Sequence, residues 1–247
     1  MSQTQNLTEV ADGAELICED LHIFGDVHQG SIIDAHRLIV KGATHSDASQ
    51  FSKYAQIHQH KGKLRCHEAK IDILDGGEVH ASNVTVDTCL GGEIYAQDVT
   101  INTLSNKLTV YASRSIRINL INGSGNKLHI NYHKVPILLS KLELIDEDIE
   151  ELNFLLDKAK QNNAWTQQDI KDEIKKLQLQ KKEIIDSIYT AKISIKNEIK
   201  GKNLISFYID ENNTISWTTD KMKQQNFYLE FDKKHIILHP SQTTITL

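Results

Sequence analysis

Val79-His-Ala81-Ser-Asn-Val84-Thr-Val86 is followed fifteen residues later by Ile94-Tyr-Ala96-Gln-Asp-Val99-Thr-Ile101, in the same order of apolar, small and polar positions. Working outward, the pattern returns as Leu16-Ile-Cys18-Glu-Asp-Leu21-His-Ile23, Ile33-Asp-Ala35-His-Arg-Leu38-Ile-Val40 and Leu64-Arg-Cys66-His-Glu-Ala69-Lys-Ile71. A polar copy opens at Gln50 and ends at Ala55-Gln-Ile57, and a copy with one extra residue runs Val110-Tyr-Ala112-Ser-Arg-Ser-Ile116-Arg-Ile118. The starts lie 17, 17, 14, 15, 15 and 16 residues apart. Alternation with period two marks strands with one buried face, and this repeat is too short for a βαβ unit. One such rung cannot bury its apolar side chains alone, whereas stacked rungs align each slot into a continuous core. The pattern predicts a parallel β-helix of about seven rungs over residues 1–134, right-handed by the general preference of parallel crossovers. Cys18, Ala35, Ser52, Cys66, Ala81, Ala96 and Ala112 share a small corner slot. Asp75-Gly76-Gly77, Leu90-Gly91-Gly92 and Asn122-Gly123-Ser-Gly125 supply corners of positive φ.

The texture changes at Val135-Pro136. Leu138, Leu142, Ile145, Ile149, Leu152 and Leu156 step by four and three, as the apolar seam of a coiled coil does. Pro136 suits a first helical turn. After Gln161-Asn-Asn-Ala-Trp165, Thr166-Gln-Gln-Asp169 reads as a helix restart resembling a capping box. A second seam runs Ile170, Ile174, Leu177, Lys181, Ile184, Ile188, Ala191 and Ile195. Residues 141–156 carry six acids and one base, while Lys171, Lys175, Lys176, Lys181 and Lys182 make the second segment basic. Residues 135–200 are therefore expected to form a projecting antiparallel coiled-coil hairpin. Beyond Gly201, short runs such as Leu204–Ile209 and Phe227–Phe231 predict small β-hairpins over residues 201–247 that pack on or cap the solenoid. The fold class is mainly β with an α-hairpin.

Composition narrows the function. The 247 residues hold 28 Lys+Arg against 33 Asp+Glu, a formal charge of −5, which disfavours nucleic acid as a partner. The chain opens without a basic and apolar leader, has no apolar run near the roughly 20 residues of a membrane span, and carries three cysteines without CxxC spacing. A cytoplasmic protein without membrane insertion is expected. Twelve histidines are present, but His36 and His67 share an outward slot with Lys53 between them, and a metal site needs convergent ligands. Cys18 and Cys66 read as core and Cys89 as a residue near a turn that could be exposed. No GxxxxGK[ST], HExxH or GxSxG occurs, so no catalytic, cofactor-binding or metal-ligating residue is assigned. Trp165 at the hairpin tip, with Lys171 and Lys175 beside it, is the expected protein-contact surface.

The order solenoid, coiled coil, small β unit resembles the flagellar assembly protein A family of bacteria. The likeness is carried by Ile33-Asp-Ala-His-Arg-Leu-Ile-Val-Lys-Gly42, Gly77-Glu-Val-His-Ala81, the heptad hairpin and Phe227-Tyr-Leu-Glu-Phe231-Asp-Lys-Lys-His-Ile236. Larger members carry a further N-terminal domain, whereas these rungs begin near residue 14. The resemblance implies a non-enzymatic scaffold that docks protein partners in flagellum or cell-pole assembly, with no active-site residues. Homo-oligomerisation is left open. Two other readings suit a solenoid: a filament-forming module like the bactofilins, and an acyltransferase or sugar-active enzyme.

Overall fold

A computed structural model describes residues 4–159, 164–210, 212–232, 235–240 and 243–246; the side chains of 159, 164–166, 232, 235 and 243–246 are outside that description. The chain is mainly β, a solenoid of about seven turns with two helices. Its strands are β1 (Thr4–Leu7), β2 (Glu15–Ile23), β3 (Ile32–Ala43), β4 (Ser49–His60), β5 (Lys63–Arg65), β6 (Glu68–Leu104), β7 (Leu108–Ile121) and β8 (Lys127–Ile130). Helices α1 (Pro136–Ala159) and α2 (Ala164–Tyr189) follow. Then come β9 (Lys192–Ile195), β10 (Leu204–Asp210), β11 (Asn213–Thr218), β12 (Gln225–Asp232), β13 (His235–His239) and β14 (Thr243–Thr246).

The quoted repeat stacks as its spacing demands. Parallel pairing puts Leu21 over Leu38, Ala55 and Ala69 in turn, and Ile23 over Val40, Ile57 and Ile71. Cys18, Ala35 and Ser52 share the small slot, as do Ala96 and Ala112 farther along. Full burial of each Leu or Ile contributes about 1.5–3 kcal/mol, so the stacked columns supply the main cohesion. Two glycines show why the corners need them. Gly77 has φ +73°, and a Cβ there would lie 2.5 Å from the Gly62 and Lys61 carbonyl oxygens of the rung below. Gly92, at φ +118°, would place one 2.6 Å from the Gly76 oxygen.

A third inward column lies outside the eight-residue repeat. Val10 bridges Val27, Val27 bridges Thr44, His60 pairs with Leu74, Leu104 with Ile121, and Ile121 with Ile199. Cys89 belongs to it too, fully buried, which corrects the reading of an exposed thiol near a turn. Burial drives the Cys66 and Cys89 thiols up to about 12, so both are packing groups.

The helices are not a separate block after the solenoid. Strand β7 pairs through Thr109–Ala112 with β8 and through Ser115–Ile118 with β9. Ile130 and Lys192 therefore stand in one rung, and the helical segment replaces a corner that Ser113 and Arg114 make in the rung below. Ala191 and Ile195, expected in the second helical seam, instead join the solenoid core. Helix α2 begins at Ala164, so Thr166–Asp169 lies inside it and does not start it.

At the far end the direction of stacking reverses. Strand β10 runs parallel to β8, but β11 lies antiparallel on β10, and β12 antiparallel on β9. Strand β13 then pairs antiparallel with β12, and β14 with β13. A buried amide pair ties this layer down. Asn126 donates its side-chain N–H to the Ser105 carbonyl at 2.9 Å and to Asn203 Oδ1 at 2.8 Å. Asn203 Nδ2 donates in turn to the Gly123, Lys200 and Gly201 carbonyls, while its own backbone N–H reaches Thr219 Oγ1 at 3.0 Å.

Candidate functional site

The helical pair and the corner that carries it form the first candidate surface. In α1, Leu138 and Ile145 are buried and Leu142, Ile149, Leu152 and Leu156 half-buried. In α2, Ile174 is buried and Ile170, Leu177, Lys181, Ile184 and Ile188 half-buried. Lys181 sits among the apolar positions because it donates across to Asp146 Oδ2 at 2.7 Å. Each partner of this pair is partly exposed, so the ion pair contributes at most about 1 kcal/mol. Replacing Lys181 with Leu is expected to raise the thermal midpoint by a few degrees, since a buried leucine outweighs such a pair. A lower midpoint would count against the seam.

At its base the pair leans on the solenoid: α1 lies against β6, and Val135 and Leu138 are buried. A crevice of about 370 Å³ opens there between Leu138, Gln180 and Ile184 on the helices and Gln97, Ser113 and Arg114 on the corner. Asp98 anchors that corner. Arg114 donates to its Oδ2 through both Nε and Nη2, and Ser115 Oγ donates to Oδ1. Burial alone would push this carboxyl up; the bonds from Arg114 and Ser115 and the charges of Arg114 and Arg117 overcome that and hold it below its usual range.

Of the expected contact residues, Lys171 and Lys175 lie one turn apart and exposed on α2. Lys175 faces Asp172 at 3.9 Å. Trp165 is in the first turn of α2, but its side chain lies outside the described residues. Leu144, Phe154 and Leu179 are exposed large apolar groups that the heptad reading left off the seam.

The second candidate is an open groove of about 810 Å³ along the outer face of successive rungs, lined by Lys70, Asp72, Asp87, Asn102, Arg117 and Lys196 among others. Its side chains bond from rung to rung. His58 meets Asp72 at 2.9 Å, Asn102 donates to Asp87 at 2.9 Å, Asn119 to Asn102 at 2.9 Å, and Asn197 to Asn119 at 2.7 Å. Asp72 and Asp87, fifteen residues apart like the repeat itself, were not singled out in the sequence; both are engaged by these neighbours. On the adjoining face His80, Tyr95, Tyr111 and His129 stack with ring centroids 4.6, 5.2 and 4.9 Å apart. The rings cover one another's faces, which stiffens the wall and leaves their edges outward.

The other histidines are spread through the rungs. His67 bonds Ser82 Oγ at 3.1 Å, and His60 Nδ1 meets Thr44 Oγ1 at 3.0 Å inside the core. Among the described residues no three His, Cys, Asp or Glu side chains converge as a metal site would require, and no helix is long and apolar enough to cross a membrane. No family model, curated protein or solved structure matches the chain.

Proposed function

We propose that the chain is a non-enzymatic scaffold whose solenoid carries α1 and α2 as an antiparallel coiled-coil arm for docking partner proteins. The observation that carries this reading is the interrupted rung. Residues 132–190 leave the solenoid between Ile130 and Lys192, yet both flanks stay in register with β7. Such a graft gives the arm a fixed root, and among the described residues of 131–191 only Ala191 joins the solenoid's core. The arm exposes Leu144, Phe154 and Leu179 beside an acidic α1 and a Lys-bearing α2, a mixed surface suited to protein recognition. Lys171, Lys175 and Trp165 are its proposed contact residues. The resemblance to flagellar assembly protein A points to assembly factors of the bacterial flagellum or cell pole as the partner class, met in the cytoplasm. Filament growth in the bactofilin manner is the weaker reading, because it requires parallel rungs at both ends and β11 and β12 run antiparallel over one of them.

The test replaces residues 131–191 by Ser-Arg, the pair that turns the same corner at Ser113 and Arg114. Affinity capture from the source cell with the whole chain should retain proteins that the armless variant loses. Recovery of the same proteins by both would refute the docking role of the arm.

A further inference from the structure

Where the two half-rungs at the root of the arm meet the reversed terminal layer, four separate stretches of chain bring aromatic side chains around one small pocket. Tyr132 follows β8, Tyr189 closes α2 just before β9, Phe207 and Tyr208 lie on β10, and Phe231 lies on β12. They meet because β10 pairs with β8 and β12 with β9. Three of the chain's 7 tyrosines and two of its 6 phenylalanines thus line a single cavity. Phe207, Ile130 and Ala191 are buried and form its inner end, whereas Tyr189 is 57% and Phe231 44% exposed. Tyr189 meets Phe231 at 84° and Tyr132 meets Tyr208 at 77°, with centroids 5.7 and 6.2 Å apart. Rings set at right angles wall in a space instead of stacking it shut. His133 packs on Tyr132 and Tyr208 with centroids 3.9 and 5.0 Å away.

Size and polarity select the occupant. The cavity measures about 40 Å³, where one water needs about 10–15 Å³, so it admits a compact group of about three or four atoms and no ring. Burial, with the Tyr189 and Tyr208 phenols nearby, pushes the Tyr132 hydroxyl up, which places three phenols around the same space. A plain hydrocarbon there would strip water from those hydroxyls and return nothing. A primary ammonium would have to shed a tightly held water shell. A trimethylammonium group has the fitting shape, spreads its charge over its methyls and is drawn to the negative faces of aromatic rings. Among the described residues no lysine or arginine lines the pocket. Asp210, one residue beyond Ile209, is held below the usual carboxylate range by bonds from Asn213 and Asn212.

We propose that this aromatic pocket binds a trimethylammonium group, borne by a methylated lysine of a partner protein or by a choline-type small molecule. The rings of Tyr132, Tyr189, Tyr208 and Phe231 enclose the methyls, and the Asp210 carboxylate adds attraction at longer range. The site stands whether or not the arm docks partners, because its walls come from the arm's root and the terminal layer and not from the exposed helix faces.

The probes are choline, its uncharged isostere with carbon in place of the ammonium nitrogen, and the peptide Gly-Ala-Lys-Ala-Gly with and without trimethylation of the lysine. Each is titrated into the whole chain and followed by the tyrosine-ring proton signals in nuclear magnetic resonance. Saturable binding is expected with choline, with the trimethylated peptide or with both, and the tighter of the two names the source of the group. The carbon isostere and the unmethylated peptide should bind at least about tenfold more weakly. Tyr189→Ala removes an exposed ring and should weaken binding about tenfold, with a melting midpoint close to the parent's. Tyr189→Phe keeps the ring and should stay within about threefold of the parent. The proposal is overturned if neither trimethylammonium probe binds, if the carbon isostere binds as well as choline, or if Tyr189→Ala and Phe231→Ala both bind unchanged. A loss with Tyr189→Phe as large as with Tyr189→Ala would also overturn it, since the attraction would then lie in a hydroxyl and not in the rings.

Discussion

Replacing Asn203 by leucine is expected to cost about 3–5 kcal/mol of stability, read as a large fall in the urea midpoint at unchanged slope. The side chain is 1% exposed and shares leucine's branched skeleton of heavy atoms, but leucine is bulkier, so lost hydrogen bonds and some overpacking both contribute. Its Oδ1 accepts from both the backbone N–H and the side-chain N–H of Asn126, at 3.2 and 2.8 Å. Its Nδ2 serves three carbonyls that otherwise face an apolar group. Each buried polar group left unpaired costs about 1–3 kcal/mol, and several are orphaned at once. Because Asn203 also binds Thr219, the reversed terminal strands should loosen first, visible as faster amide exchange in β11. A cost below about 1 kcal/mol would mean that the amides are bystanders.

The second large effect is a pH dependence. Burial depresses the His60 imidazole to about 4, against the opposing pull of the Glu78 and Gly62 backbone. Above about pH 6.5 the imidazole is neutral folded and unfolded, and it contributes no pH dependence. Between about 6.5 and 4 the unfolded chain binds a proton that the folded chain refuses, so stability falls as pH falls, and the loss levels off below the folded value. A difference of about 2.5 units corresponds to about 3 kcal/mol. His60→Leu continues the column that Leu74 occupies one rung on, and Thr44 Oγ1 keeps the Lys61 N–H at 3.1 Å. The variant should lack this acid loss, so the difference between parent and variant in urea stability should change by about 3 kcal/mol across the window. Parallel curves for the two proteins would show that His60 is not buried as described.

Why sequence reading reached the solenoid but not all of its parts follows from how much chain each signal needs. The eight-residue template samples two sides of a rung, and along it the stacking of Leu21 on Leu38 follows directly from the spacing. The third side, with Thr44, His60 and Cys89, falls between templates, where polar and small residues look like turns. Gln50 illustrates a related limit: it holds an inward slot opposite Ile33 and is fully buried, although its side chain predicts the surface. The interrupted rung was hidden for another reason. Lys127–Ile130 and Lys192–Ile195 are four-residue half-rungs, too short to show period two beside long heptads. Ala191 and Ile195 happened to continue the 4, 3 rhythm of α2 and so masked the return to strand.

The central claim is that the helices are grafted onto a solenoid that is complete without them. Thermal unfolding of the variant with residues 131–191 replaced by Ser-Arg, followed by far-ultraviolet circular dichroism, tests this most directly. A retained β spectrum with one cooperative transition near the parent's midpoint is the expected result; a broad, non-cooperative loss of strand signal would show that the rungs depend on the arm and would contradict it.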